Sequence, residues 1–126
     1  MEISFLNVDL VIDSTEILQP LVDELAENVL VMFNDEWGKG LNRLSLCLKD
    51  SHKKTADEIV SELCFLIENL SSESKSIWDK CHSKKFDIGF ESGNIGTLET
   101  EISAKTVRRI AKLEASVLIT IYPIND

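Results

Sequence analysis

Cys81 and His82 stand side by side, and a thiol with an imidazole is the pair that a cysteine hydrolase uses as nucleophile and base. No recognised local signature of such an enzyme surrounds Cys81, or Cys64, the other thiol considered for that role. Metal chemistry is equally thin. Neighbouring residues on one helix or strand seldom converge on a single ion, and His52 is the one other histidine, so carboxylates would have to complete a zinc shell. Asp87 and Glu91, four apart on an expected strand, share a face as paired acids would, but a solvated sheet face explains them more economically. The glycines form neither GxGxxG nor a P-loop, so no phosphate cradle is indicated. Lys105, Arg108, Arg109 and Lys112 follow i, i+3, i+4, i+7 spacing, a basic stripe on an expected helix. Phosphate binding is dominated by net electrostatics, and a chain of formal charge −9 repels polyanions. The stripe is therefore expected to be a solvated face or an internal partner for an acidic helix. The expectation is a protein that is not an enzyme, with no catalytic residue, metal or cofactor and no nucleic-acid partner.

The charge itself is the stronger signal. Met1 to Gly38 carries nine acids (Glu2, Asp9, Asp13, Glu16, Asp23, Glu24, Glu27, Asp35, Glu36) and no lysine or arginine. The following 88 residues hold 13 acids and 13 basic residues, so the whole net charge of −9 arises in the first third. Charge gathered in this way produces a field that can steer a cationic partner, whereas scattered charge aids solubility alone. Asp23, Glu27, Asp35 and Glu36 are the candidate partner-binding acids, and Trp37, in the polar stretch Asn34-Asp35-Glu36-Trp37-Gly38, is the candidate aromatic anchor.

Elements to position these residues are legible. Leu6–Asp13 alternates as a half-buried strand, with Asp9 and Asp13 on its wet face. Ile17, Leu18, Leu21, Val22 and Leu25 follow a helical period, with Glu16, Asp23, Glu24 and Glu27 opposite. Asp13 and Glu16 have capping-box spacing. Pro20 requires that this helix either start late or bend. Val29–Phe33 and the alternating Leu41–Lys49 are expected to form a hairpin with a turn longer than two residues. Thr55-Ala56-Asp57-Glu58 is a capping box opening a helix to about Leu70, with Phe65 on the side away from its buried stripe and expected to lie beneath Ser71–Lys85. A short helix with Trp78 in the core and a strand Lys85–Glu91 follow. Ser103 then caps a fourth helix that buries Val107, Ile110 and Ala111. Val117–Tyr122, apolar on both faces except for Thr120, fits an interior strand. The expected fold class is α+β: one domain spanning residues 1–126, in the order βαββααβαβ, with a mixed sheet packed with helices.

At 126 residues, with 44% hydrophobic and 28% charged side chains, the chain can bury a core without disulfides, and Cys47, Cys64 and Cys81 are expected as reduced thiols. Met1-Glu2-Ile3-Ser4 lacks a basic leader and the apolar runs are too short to span a bilayer, so a cytoplasmic protein with no membrane partner is expected. The apolar faces of the last strand allow either a monomer or a homodimer.

Phe33-Asn34-Asp35-Glu36-Trp37-Gly38, Phe86-Asp87-Ile88-Gly89-Phe90-Glu91-Ser92-Gly93 and Ile119-Thr120-Ile121-Tyr122-Pro123 together resemble a group of small bacterial proteins. The closing helix and strand are similar to a widespread uncharacterised bacterial domain family. The fuller pattern resembles the immunity proteins of contact-dependent growth inhibition, a polymorphic toxin system. The uncharacterised domain family usually has glycine after that helix, where this chain has Glu114. The resemblance implies a cytoplasmic immunity protein that binds a cognate toxin and neutralises it, with a nuclease as the expected toxin and its cationic active cleft as the blocked site. It names no interface residue. The alternative is a small-ligand or regulatory binding module of the uncharacterised family, with the loop Ser92–Thr97 near its pocket.

Overall fold

In a computed structural model describing residues 1–124, the chain forms one five-stranded mixed sheet and four helices in the expected order. The strands are β1 (Ser4–Ser14), β2 (Val29–Glu36), β3 (Asn42–Leu48), β4 (Ser83–Glu91) and β5 (Ser116–Tyr122). The helices are α1 (Gln19–Leu25), α2 (Ala56–Glu68), α3 (Ser72–Asp79) and α4 (Ala104–Lys112). The sheet order is β2-β3-β1-β4-β5, antiparallel throughout except that β5 runs parallel to β4.

Alternation decides which face is buried. Val8, Leu10 and Ile12 of β1 join Leu44, Leu46 and Leu48 of β3 and Phe86, Ile88 and Phe90 of β4 in one core cluster. Leu21 and Leu25 of α1, the Ile59–Ile67 stripe of α2, Trp78 of α3 and Ile110 of α4 complete it from the helical side. Trp78 is fully buried, and its indole N–H donates to the Leu113 carbonyl at 3.2 Å. All four described helices contribute to the core on that face; the opposite face carries Asn7, Asp9, Val11 and Asp13 of β1 and Arg43, Ser45 and Cys47 of β3, whereas Phe5, before the irregularity in β1, packs on the core side.

Several local expectations are corrected. Asp13 does not cap α1. It lies within β1, and α1 starts at Gln19 with Pro20 in its first turn and no side-chain cap. β2 runs on through Glu36, so Asn34, Asp35 and Glu36 are strand residues; the turn is closed by Trp37 N–H donating to the Leu41 carbonyl at 2.7 Å. Phe65 is not covered. It remains 60% exposed because Glu24 of α1 accepts from both Ser71 N–H and Ser71 Oγ, at 2.7 Å each, which draws the start of α3 toward α1. α4 buries Thr106, Ile110 and Leu113 rather than Val107 and Ala111. Its phase is set by Ser103 N–H donating to Asp57 and by Arg109 gripping α2. β5 is an edge strand, not an interior one. Thr55 does form its capping box with Glu58, and Glu114 takes the left-handed conformation, φ +56°, that glycine would adopt without strain.

Candidate protein-binding surface

The N-terminal acids meet different fates in the fold. Two are ion-paired among the described residues: Asp13 with Arg43, and Glu16 with Lys80 at 3.6 Å. Glu24 is held by Ser71, whose two hydrogen bonds lower its pKa. Asp9 lies directly opposite Asp87 in the β1–β4 register, and burial, with the Asp87 charge, raises its pKa. Glu2, Asp23, Glu27, Asp35 and Glu36 are exposed and form no ion pair among the described residues.

Asp35 and Glu36 end β2 and Trp37 follows them, while Asp23 of α1 is connected to that strand through Gln19 and Asn34. Gln19, in the first turn of α1, donates to Asp23 at 2.8 Å and accepts from Asn34 of β2 at 3.2 Å, which ties the acidic face of α1 to the acidic end of the edge strand. Asp35 and Glu36 project to opposite faces of that strand, as the pleat requires. Glu27 is elsewhere. It belongs to the turn before β2, and the eight-residue strand carries the chain about 23 Å from there to Glu36. Glu27 lines a different groove of ≈ 610 Å³, beside Lys49, Lys54, Phe65 and Arg109. Asp35, Glu36 and Trp37 thus lie together by sequence, Asp23 is linked to their strand through Gln19 and Asn34, and Glu27 is apart from them.

Trp37 is held, though 52% exposed. Its ring meets Phe33 edge-on at 5.7 Å between centroids, and the Arg43 guanidinium lies 4.3 Å from its centroid. Arg43 is fixed in turn by two bonds to Asp13, Nε to Oδ1 at 2.7 Å and Nη2 to Oδ2 at 2.9 Å. Sequence reasoning missed this relay because Asp13 and Arg43 become neighbours only through the β1–β3 register.

The basic stripe does not neutralise these acids. Arg109 forks onto Glu68 of α2 at 2.8 and 3.0 Å and also donates to Ser61, and Arg109 in turn lowers the Glu68 pKa. Lys105, Arg108 and Lys112 form no ion pair among the described residues.

The other chemically suggestive residues are placed as follows. Cys81 Sγ lies 3.3 Å from the Ile77 carbonyl, and burial pushes its thiol upward. His82 is exposed. Burial pushes the Cys64 thiol up to about 11. Asp87 accepts from Thr120 Oγ1 at 2.6 Å and faces Asp9 more closely than Glu91. No group of three or more metal-ligating side chains converges among the described residues. No described helix is long and apolar enough to cross a membrane.

Comparison with known proteins adds nothing further: no family model, no curated protein and no solved structure matches the chain. The loop Ser92–Thr97 contributes Ser92 and Gly93 to an open groove of ≈ 920 Å³, whose apolar wall is Ile119 and Ile121 of β5. Gly93 is required there by space, since a Cβ would sit 2.5 Å from the Met1 carbonyl oxygen.

Proposed function

We propose that this protein is an immunity-type inhibitor acting in the cytoplasm, which binds a cognate toxin domain and blocks its cationic cleft. The observation that carries this reading is the acidic end of β2, where Asp35 and Glu36 precede the held, half-exposed indole of Trp37 and where Asp23 is tied to the same strand through Gln19 and Asn34; none of the three carboxylates is ion-paired among the described residues. A nuclease cleft is cationic because it holds phosphates, and carboxylates spaced on a strand end and a helix can occupy the phosphate positions. The surplus negative field accelerates encounter with such a cleft, toward ~10⁸–10⁹ M⁻¹s⁻¹ at low salt. Trp37 is the residue type that most often dominates a binding interface. Glu27, remote from this end of β2, contributes long-range field and no contact.

Co-expression with the toxin domain encoded by the adjacent reading frame tests the proposal. Cells carrying the wild-type chain survive. Cells carrying Asp23→Lys, Asp35→Lys and Glu36→Lys together die, while Lys105→Glu leaves protection intact. Death of the wild-type strain, or full protection by the triple variant, would refute it.

A further inference from the structure

The two edges of the sheet are built differently. β2 is blunted in the ways that edge strands commonly are, with an irregularity in register between Val31 and Phe33 and with Asp35 and Glu36 at its end. β5 has none of these devices: Ser116–Tyr122 contains no charge, no proline and no bulge. It is also apolar on both faces. On the helix side Val117, Ile119 and Ile121 are 46%, 52% and 64% exposed, because no helix covers them, and on the other side Leu118 and Tyr122 are 40% and 47% exposed.

Backbone direction makes the free edge specific. The Tyr122 carbonyl accepts from Ser92 of the segment following β4, at 2.8 Å, so Leu118, Thr120 and Tyr122 turn their main-chain groups toward β4. By alternation, Val117, Ile119 and Ile121 turn their N–H and C=O groups outward, and β5 has no neighbour on that side among the described residues.

We propose that β5 is the interface of a homodimer, pairing antiparallel with β5 of a second copy about a twofold axis at Ile119. In that register Val117 faces Ile121, Ile119 faces itself and Ile121 faces Val117. All three are hydrogen-bonded pairs, because the outward groups on both strands coincide. The same register sets β-branched side chains directly opposite one another on the helix-side face, where they bury apolar surface against each other. A second copy fits better than a foreign strand because the pattern is complementary to itself and uncharged. β5 itself carries no charge and lies about 19 Å across the sheet from acidic β2, and a second copy meets like charge there from Glu99 and Glu101, which line the same groove as Ile119 and Ile121. The exposed apolar parts of these side chains and of Leu98, which shares their groove, amount to on the order of 500 Å² per protomer. With the paired main chains this reaches the lower end of specific interfaces, which bury about 600–800 Å² per partner. The dimer leaves the β2 corner free on both outer edges of a continuous ten-stranded sheet.

Sedimentation velocity on the full chain between about 1 and 100 µM covers the range expected for an interface of this size. The proposal expects a concentration-dependent rise toward twice the 14.2 kDa protomer mass, abolished by Ile119→Lys with the far-ultraviolet circular dichroism unchanged. Amide hydrogen exchange on the wild type provides a readout free of any folding defect. The Val117, Ile119 and Ile121 amides gain protection with concentration, while Leu118 and Thr120, already bonded to β4, do not change. A monomer at every concentration, a dimer that survives Ile119→Lys, or protection independent of concentration overturns the proposal. So does protection of these amides that appears only when an extended apolar peptide is added, which would assign the edge to a foreign strand.

Discussion

Replacing Arg43 is the perturbation with the most to say about how the acidic corner is held. Arg43 makes a two-pronged bond to Asp13 and lies against Trp37, with 27% of its side chain and 13% of that of Asp13 exposed. An exposed pair is worth at most about 1 kcal/mol, and a bond to a charged group out of water about 1.5–3 kcal/mol. This pair sits between the two limits, so we expect a coupling of about 1–2 kcal/mol from the cycle Arg43→Met, Asp13→Asn and the double variant. Loss of the guanidinium–indole contact adds about 0.5–1 kcal/mol to Arg43→Met alone. For a chain of 126 residues each kcal/mol corresponds to roughly 3–5 °C, so Arg43→Met melts about 5–15 °C lower. The pH dependence supplies a second constraint. The bond from Arg43 lowers the Asp13 pKa below its usual 3.8. A carboxylate depressed in the folded state stabilises above its unfolded pKa and loses that stability as pH falls through the folded value. The coupling is therefore constant from neutrality down to about pH 5, begins to weaken near pH 4 and is lost as pH falls further, through the lowered folded value. Denaturant unfolding at pH 7, 5 and 3 measures it. A coupling under about 0.3 kcal/mol at pH 7, or one that persists unchanged at pH 3, would refute the reasoning.

Other consequences follow from single contacts. Asp9→Asn should stabilise the fold by about 0.2–1 kcal/mol at pH 7, because it removes a charge set opposite Asp87; since burial raises the Asp9 pKa, the gain vanishes on acidification, when wild-type Asp9 takes up its proton, as urea melts at pH 7 and pH 4 will show. Glu114→Gly relieves about 1–2 kcal/mol of left-handed strain and adds about 0.4–1 kcal/mol of unfolded-state freedom, so a net gain near 0.5–1 kcal/mol is expected in the same assay. Trp78→Phe leaves the Leu113 carbonyl without its indole donor and opens a gap in the core, for a loss of about 2–3 kcal/mol by denaturant unfolding. The three cysteines are buried and their thiols shifted upward, so native protein at pH 8 should react with a thiol-specific chromophore far more slowly than unfolded protein, in which all three titrate at once.

Local periodicity made most of the fold legible. The alternation in β1, β3 and β4, the Thr55 capping box, the Ser103 cap and the burial of Trp78 depend on residues close in sequence, and all are present as expected. The misses arise where a distant partner decides. Asp13 has the spacing of a cap, but Arg43, thirty residues away, offers it a stronger bond. Phe65 stays exposed because Glu24 binds the start of α3. The rotation of α4 follows Asp57 and Glu68 of α2 rather than its own apolar positions. β5 reads as interior because apolar residues on both faces usually mark a strand covered on both sides, whereas here it lies at the sheet edge. The candidate site was legible as composition, since an acid-only segment is visible without coordinates. Its division into the β2 end at Asp35, Glu36 and Trp37, with Asp23 linked to that strand, and a remote Glu27 was not, because it depends on the direction in which β2 runs beside α1.

Stopped-flow association of the purified chain with the purified toxin domain, measured from about 20 to 500 mM salt, addresses the acidic corner most directly. The account predicts a rate that falls at least about tenfold across that range and a steep loss at low salt on Asp35→Lys with Glu36→Lys, with little change for Lys105→Glu. An association rate indifferent to salt, or unchanged by reversing those two charges, would contradict it.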